Sequence, residues 1–431
     1  MDQYSVGLLI CFGLIGLLVV GVPISFALLL MGALGVYLTG GWTAAQFILS
    51  GLPNSSIGEL GLITIPLFLF MGNLAFSAGI TQNAFAAGKA WVGHIAGGLP
   101  TATVFACASF SAVSGSSIAT AATMAKIAIP EMLSAGYGPR IAGATVAVAG
   151  TLGVLIPPSS ILIIYSIATQ TPLADLFVAA VVPGIVSAFG YAFCIWLTVR
   201  TKPEMLKATR LPEASLRERV CALGRAWEIV LLFGCVMVPL YFGIATATEA
   251  AAFGAGAALL ISLFRRSGRA KAIWNGLVGT GSASATILLL VAGSALFSTA
   301  LATSQIPQLI AAAAADLGLG PVAMTFLLLV PFLVLGCFID GISMIFLTMP
   351  IVFPIVVQSD INPVLFGILV TKMIEIGAVT PPIGVNAFVV AGTDDRISLR
   401  DVFMGSIPFI LIDLLLVAIL IFVPGITLWS F

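Results

Sequence analysis

The chain has 431 residues, of which 60% are hydrophobic and 8% charged, and its 17 basic side chains balance 17 acidic ones. Long apolar runs with so few charges cannot form a water-soluble globule, so the composition indicates a polytopic membrane protein. The zero net charge gives no basic surface that would suggest a nucleic-acid partner. The six cysteines form no CxxC pair and His94 is the only histidine, which favours structural cysteines over a zinc site.

The N-terminal apolar run has no basic segment before it and is too long for the hydrophobic region of a cleaved signal peptide. We therefore expect a retained membrane anchor, split or bent near Gly21 and Pro23. Residues 1–60 are predicted to form N-terminal scaffold helices.

Small hydroxylated residues crowd the stretch "SAVSGSSIATAAT", residues 111–123, between apolar arms that are too short to span a membrane alone. This pattern predicts a re-entrant helical hairpin over about residues 98–134 with its tip at residues 114–117. Backbone amides at the start of the second arm could meet an anion. Close helix packing through small residues is the alternative. Lys126 and Glu131 are expected near the membrane edge of the hairpin.

Two prolines, Pro157 and Pro158, interrupt the apolar run that follows. A proline inside a helix removes a hydrogen bond and costs about 3 kcal/mol. We therefore predict a broken helix over about residues 141–172. Such a break is tolerated at membrane depth where the freed carbonyl groups line a cavity or hold an ion. A plain kink is the alternative.

The middle of the chain holds most of the basic residues: seven of the 17 lie in residues 200–225 and four in residues 265–271. By the positive-inside rule both segments are cytoplasmic. Residues 227–264 must then cross and return, with an outer turn around Glu249. Residues 177–273 are predicted to be scaffold helices and cytoplasmic linkers.

The second half places Asp340 inside the apolar run "GCFIDGISMI". A carboxylate at membrane depth is costly enough to indicate a function, and it suits a sodium or proton-linked site. An ion pair with Lys372 is the alternative, although Lys372 and Glu375 are spaced for a pair within one helix. We predict a hairpin over about residues 320–356 and a broken helix over about residues 362–393.

An offset of 224 residues brings Pro130, Gly153, Pro157 and Pro158 onto Pro354, Gly377, Pro381 and Pro382. This ordered set predicts a duplicated unit, residues 61–176 and 274–402, followed by a C-terminal scaffold helix over residues 403–431. The chain is expected to leave the first unit outside and the second inside, so the repeats should be inverted. Paired, Pro-interrupted segments in inverted repeats are typical of the midplane site of a secondary transporter.

No Walker loop, GxSxG motif or metal-ligand cluster occurs, so we expect neither an enzyme nor a covalent cofactor. The stretches "SGSSIATAATMAKIAIPEM", "GTLGVLIPPSS", "GIATATEAAA", "FIDGISMIFLTMPIVFPIV" and "IEIGAVTPPIGVNAFVV" resemble the large membrane (M) subunit of tripartite ATP-independent periplasmic (TRAP) transporters. The resemblance implies an all-α, elevator-type, Na⁺-coupled importer of a small organic anion in the bacterial inner membrane. It also implies a small four-helix membrane (Q) subunit and a periplasmic substrate-binding (P) protein as partners.

The resemblance further implies two sodium sites. The residues expected to form them are Ser114, Gly115, Ser116, Gly150 and Gly153 for the first site and Gly336, Asp340, Gly341, Gly377 and Thr380 for the second. The residues expected near the substrate are Ser116, Ser117, Ser159, Asp340, Thr380 and Asn386. In the first sodium site the unwound backbone is expected over residues 150–156.

Four other functions stay open. A stand-alone divalent-anion symporter or an arsenite-type permease would share the hairpins and broken helices. From a different class, a channel or a non-transporting membrane scaffold would need neither paired breaks nor Asp340. The substrate is expected to be a carboxylate such as a C4-dicarboxylate, a sugar acid or a keto acid.

Overall fold

The computed structural model describes residues 3–52, 58, 60–201, 212–264 and 269–429, and these are almost entirely helical, without a β-strand. The prediction of an all-α polytopic membrane protein is confirmed. Parts of both predicted basic loops, residues 202–211 and 265–268, lie outside the described residues. The helices are α1 Gln3–Val19, α2 Ile24–Leu52, α3 Thr64–Ser77, α4 Ile80–Val92, α5 Gly98–Ser114, α6 Ser117–Ser134, α7 Pro139–Leu155, α8 Ser160–Thr169, α9 Leu173–Thr201, α10 Leu216–Arg225, α11 Trp227–Tyr241, α12 Ala247–Phe264, α13 Arg269–Ser304, α14 Ile306–Asp316, α15 Pro321–Gly336, α16 Gly341–Gln358, α17 Pro363–Gly377, α18 Val385–Ala391 and α19 Leu399–Phe422.

Six of the described helices are long and apolar enough to cross a membrane, or nine spans are reached if each bent pair counts as one. The predicted break near Pro23 is present, because α1 ends at Val19 and α2 begins at Ile24. The "GIATATEAAA" stretch forms the turn before α12, where the Thr246 hydroxyl and backbone N–H both donate to Glu249 at 2.8 Å. This capping box explains the acidic residue in an otherwise apolar turn.

Helices α3–α9 and α13–α19 follow one order. Each set has a helix, a shorter helix, two helices joined at a tip, two helices joined across a Pro-Pro break, and a long final helix. The arms of the first hairpin have 17 and 18 residues, and those of the second have 16 and 18. The two halves of the chain therefore match in element order as well as in sequence offset.

The bases of the two hairpins lie at opposite ends of the helix bundle. At one end α4 packs on α10, and the indole N–H of Trp91 donates to the Arg219 carbonyl at 3.2 Å. Helices α11 and α12 pack together and return the chain to that same end. Helix α13 then runs for 36 residues, about 54 Å at 1.5 Å per residue. Helix α14 and the second hairpin base are therefore at the other end.

The loop between α18 and α19 carries an ion pair between Arg396 and Asp394, with a nitrogen–oxygen distance of 2.6 Å. Hydrogen bonds from the Arg396 side chain and backbone hold the pKa of Asp394 at about 2. Asp394 therefore stays ionised through the neutral pH range. Ser398 caps α19 by accepting a hydrogen bond from Asp401 N at 3.1 Å.

A buried ionic cluster joins α9, α17 and α19. Lys372 on α17 pairs with Glu375 one turn away and with Asp413 on α19, at 2.7 Å for the second pair, and it donates to Ser187 on α9 at 3.1 Å. Tyr191 donates to Asp413 at 2.6 Å. The predicted pair within α17 is confirmed, and the alternative pair between Lys372 and Asp340 is wrong.

The sequence reading missed Asp413 as the second partner of Lys372. All the charged groups of the cluster are buried, so each depends on its partners rather than on water. These contacts hold α9 and α19 against α17. Both helices also pack on α7, so α9 and α19 contact the first broken helix as well as the second.

We predict that Lys372→Met strongly destabilises the protein, because it leaves two buried carboxylates facing each other without a cation. The expected loss is about 3–5 kcal/mol, measured as thermal unfolding in detergent. Lys271→Met at the exposed start of α13 is the matched control and should change stability by less than about 0.5 kcal/mol. Equal unfolding temperatures for the two variants would contradict the role of the cluster.

Candidate functional site

Each hairpin tip is bonded to the break of its own half. In the first half the Gly115 carbonyl accepts two hydrogen bonds, from Ser160 N at 3.1 Å and from the Ser160 hydroxyl at 2.7 Å. In the second half the Cys337 carbonyl accepts from Gly384 N at 3.2 Å. Tip and break thus satisfy each other's backbone groups, which is required where no water is available.

Glycines allow the tips and the broken helices to touch backbone to backbone. A Cβ on Gly153 would lie 2.7 Å from the Ser116 carbonyl oxygen, and one on Gly377 would lie 2.6 Å from the Gly336 backbone. Gly115 has a φ of +61°, which disfavours a side chain in any case. No larger residue fits these contacts without moving main chain.

The two halves meet where their second arms begin. Helix α6 packs on α18, and α8 packs on α16. A Cβ on Gly341, the first residue of α16, would lie 2.8 Å from the Ile161 side chain at the start of α8. The starts of α6, α8 and α16 therefore converge, and their N-caps are Ser116, Ser159 and Asp340.

The first break is narrower than the sequence predicts. Helix α7 continues to Leu155, so Gly150 and Gly153 lie inside a helix and the expected unwound backbone over residues 150–156 is wrong. The reason lies in the bonding of one carbonyl. Pro158 cannot donate to the Val154 carbonyl, four residues back, but the Ser159 hydroxyl does so instead. The helix is therefore kept intact up to the prolines.

Several of the predicted hydroxyl groups are already engaged in their own segments. Ser159 is buried, donates to Val154 O and accepts from Leu162 N at 3.2 Å. Ser114 shares a 2.8 Å hydrogen bond with Thr120. Thr380 donates to the Ile376 carbonyl at 2.6 Å. These side chains complete the helix ends, which leaves little capacity for a ligand.

Ser116 and Ser117 at the first tip are different, because both are half-buried. Within the part of the chain that the structure describes, the Ser116 hydroxyl oxygen makes only a long 3.4 Å contact, as an acceptor from Ala119 N. Its hydroxyl proton is therefore available. The second arm is also held from outside the hairpin, because Lys89 on α4 pairs with Glu131 on α6, while Lys126 is exposed.

Asn386 follows the second break and is fully buried, at 0% exposure. Its backbone N–H bonds at 3.0 Å to the Ala378 carbonyl, which Pro382 leaves without a helical donor. Its side-chain Oδ1 and Nδ2 have no hydrogen-bond partner among the described residues. A buried amide with both atoms unsatisfied is costly and unusual. Asn386 is therefore a candidate for a ligand contact.

Asp340 is exposed rather than buried. One carboxylate oxygen caps α16 by accepting from Ile342 N and Ser343 N, both at 3.1 Å. The side chain opens on a groove of about 450 Å³ between the second tip, the α1–α2 turn and α13. The sequence reading missed this groove, whose polar lining residues are Ser25, Thr286, Asp340 and Ser343. The one feature of the sequence that points to this groove is Pro23, which breaks the N-terminal helix beside it.

Residues 11–426 match the family model of the tripartite ATP-independent periplasmic transporter, DctM component. The chain belongs to this family of TRAP transporter large permeases. It is 35% identical to the C4-dicarboxylate TRAP transporter large permease protein DctM of Pseudomonas aeruginosa over 85% of each chain.

Two further comparisons extend this. The isethionate TRAP transporter permease protein DctMQ of Oleidesulfovibrio alaskensis is 30% identical over 97% of this chain and 66% of its own length. The crystal structure of the YdaH transporter of Alcanivorax borkumensis superposes with a TM-score of 0.67 over 98% of each chain at 17% identity. The second likeness concerns the fold alone.

We predict that Gly153→Ala and Gly377→Ala impair both stability and transport, because the new methyl group meets backbone atoms that cannot rotate away. The expected cost is about 1–3 kcal/mol each, measured by thermal unfolding beside substrate uptake in proteoliposomes. Gly256→Ala on α12 is the control, since nothing lies within 4 Å of its added Cβ, and it should be neutral or stabilising by up to about 1 kcal/mol. If all three variants behaved alike, the tip contacts would not matter.

Proposed function

We propose that the protein is a secondary active, Na⁺-coupled importer of a small organic anion across the bacterial inner membrane, working by an elevator movement. Membership of the family supports transport as such. The observation that carries the rest is Asn386 on α18, the helix that packs on α6. Its buried side-chain amide has no hydrogen-bond partner among the described residues. A channel or a passive scaffold would not need such a group.

The anion is best received at the convergent helix starts. Helix N-termini carry partial positive charge and unsatisfied N–H groups, which favour a carboxylate or sulfonate. Ser116 and Ser117 add hydroxyl groups at the start of α6, and Asn386 Nδ2 adds two donors. The names of the relatives, C4-dicarboxylate and isethionate permeases, support this substrate class because both compounds are small organic anions.

We place the sodium ions at oxygen atoms of the hairpin tips and of the breaks. Hard cations prefer carbonyl, hydroxyl and carboxylate oxygens. At the second tip the Gly336 and Gly377 carbonyls and Asn386 Oδ1 supply them. At the first tip the Gly115 and Ser116 carbonyls each accept two hydrogen bonds already, so the Ser116 hydroxyl oxygen is the better ligand there. Asp340 adds a charge beside the second tip, where it serves the ion, the substrate or both.

Gly150, Gly341 and Thr380 contribute by allowing close packing and by ending helices.

We place α9 and α19 with the moving part rather than with the scaffold. The buried cluster around Lys372 fastens both to α17, and breaking it during each cycle would expose unpaired charges at a high cost. The moving unit is then α5–α9 with α15–α19, against α1–α3 and α11–α13. The opposite entry of the two hairpins supports inverted repeats, as alternating access requires.

Two partners complete the proposed system. A periplasmic binding protein delivers the anion, and a small four-helix membrane subunit binds the large one. The name DctMQ and the 66% coverage of that relative support a small membrane subunit as the physical neighbour of a chain like this one.

Uptake by the assembled complex in proteoliposomes tests the proposal. Saturable uptake that needs an inward Na⁺ gradient and the binding protein is expected. Equal uptake with K⁺ in place of Na⁺, and only a proton gradient imposed, would refute the sodium coupling. Robust uptake by this chain alone would favour a stand-alone symporter or arsenite-type permease, and a leak without any gradient would favour a channel.

We predict opposite effects on stability and transport for Asn386→Leu. Leucine has nearly the same size and removes two unsatisfied buried polar atoms, so the unfolding temperature should stay equal or rise. Transport should fall at least about tenfold, because one lost ligand hydrogen bond to a charged group is worth about 1.5–3 kcal/mol. Asn362→Leu, which removes the N-cap of α17, is the control and should lower stability instead. Wild-type transport by Asn386→Leu would leave the amide without a role.

We predict that Asp340→Asn folds and assembles normally but transports poorly. Asparagine caps a helix about as well as aspartate, so the bonds to Ile342 N and Ser343 N are kept while the charge is lost. If the charge serves the cation, the sodium concentration for half-maximal uptake should rise severalfold. Asp316→Asn, at the end of α14, is the matched control. Unchanged uptake and sodium response in Asp340→Asn would reduce Asp340 to a helix cap.

A further inference from the structure

A groove of about 350 Å³ lies on the outer surface between α4, α5, α10 and α11. Its walls are almost wholly apolar and include Trp91, Phe105, Leu223 and Val230. It lies at the end of the bundle where α10 meets α4. None of the residues proposed to bind substrate or sodium lines it.

Helix α10 is amphipathic. Leu216, Val220 and Leu223 form an exposed apolar face at i, i+4 and i+7, while Arg217 and Arg225 are exposed on the polar side. The helix bends by 47° from α11, and a Ser215–Glu218 capping box fixes its start. An amphipathic helix bent away from a membrane span lies in the interface plane, with its basic residues at the level of the lipid headgroups.

Tryptophans mark the same level. Trp227 begins α11 and is 53% exposed, and Trp91 lines the groove while bonding to the backbone of α10. On α9, the Arg200 guanidinium lies 5.2 Å from the Trp196 ring centroid. Tryptophan and arginine together are typical of the membrane–water boundary. The mouth of the groove is therefore at headgroup depth.

In the sequence, Arg225 lies between Leu223 and Ala226, and those two residues line the groove. Of the acidic residues nearby, Glu213 pairs with Arg219 at 2.6 Å and Glu218 bonds to Ser215, while Glu228 is buried. Within the described residues, no ion pair engages Arg217 or Arg225. Arg217 and Arg225 are thus two exposed guanidinium groups on the helix that borders the groove, and a lipid phosphate is a natural partner for such groups.

We propose that this groove binds one anionic phospholipid of the leaflet that faces the Arg-rich segment. An acyl chain fills the apolar groove against Phe105, and the headgroup lies against Arg225 and Arg217. A second groove, of about 230 Å³ at the other end of α11, has no charged lining residue among those described. It should accept acyl chains without selecting a headgroup.

The location also gives the lipid control over movement, a consequence that rests on the proposed function. Phe105 and Ser109 belong to the first hairpin, which is taken to move, whereas Ile229 and Val230 belong to α11, which is taken to stay. A chain held between them fills space that changes shape as the hairpin slides. Lipid binding itself is independent of transport, so the two proposals fail separately.

Native mass spectrometry of the delipidated complex, titrated with phosphatidylglycerol or phosphatidylcholine of identical chains, tests the site. One tight phosphatidylglycerol adduct is expected. Arg225→Gln should weaken it about fivefold, the effect of one basic residue near a membrane surface. Lys271→Gln, which removes an exposed basic residue on α13 away from the groove, should change nothing. Equal binding of the two lipids, or an unchanged preference in Arg225→Gln, would overturn the proposal.

A second experiment fills the groove with a larger side chain. Ala226→Phe should abolish the adduct for both lipids, and Val230→Trp, at a 74% exposed position that tolerates a larger side chain, guards against misfolding of the first variant. A persistent adduct in both variants would overturn the groove as the site. Loss of the adduct only when the small membrane subunit is present would show that a protein helix, not a lipid, occupies it.

Discussion

The structure depends on one requirement: a helix broken inside a membrane must find new partners for the backbone groups that the break releases. Pro158 and Pro382 each deprive a carbonyl four residues back of its donor. The Ser159 hydroxyl replaces the donor for Val154 O, and the Asn386 backbone N–H replaces it for Ala378 O. These two replacement hydrogen bonds fix where α8 and α18 begin. They therefore also fix where the two tips meet the two breaks.

The two breaks recover their lost hydrogen bonds in different ways. At the first break Ser159 is buried and uses its hydroxyl both as donor and as acceptor. At the second break the replacement hydrogen bond uses the main chain only, so the Asn386 amide is left over. Pro381 and Pro382 are also exposed, whereas Pro157 and Pro158 are buried. The open break is thus the one that carries an unsatisfied polar group.

The sequence predicted what depends on local pattern and internal repetition. The hairpin tips, the Pro-Pro breaks and the Lys372–Glu375 pair all arise from residues close in the chain or from a constant offset. Asp413 could not be found this way, because it lies 41 residues from Lys372 and meets it only through the packing of α19 on α17. The extent of the first break was misjudged for a similar reason. Composition does not reveal that one hydroxyl, Ser159, would keep α7 helical to Leu155.

The charged residues of the hairpins and broken helices can now be divided by what neutralises them. Of their carboxylates, Glu131 is paired with Lys89 and Glu375 with Lys372. Among the described residues, Asp340 has only backbone N–H partners, and it opens on a groove. An unpaired carboxylate beside unwound backbone creates negative potential where carbonyl oxygens are also concentrated, and a desolvated cation is attracted to both. The paired carboxylates hold helices together, so the electrostatics of the second tip come from Asp340.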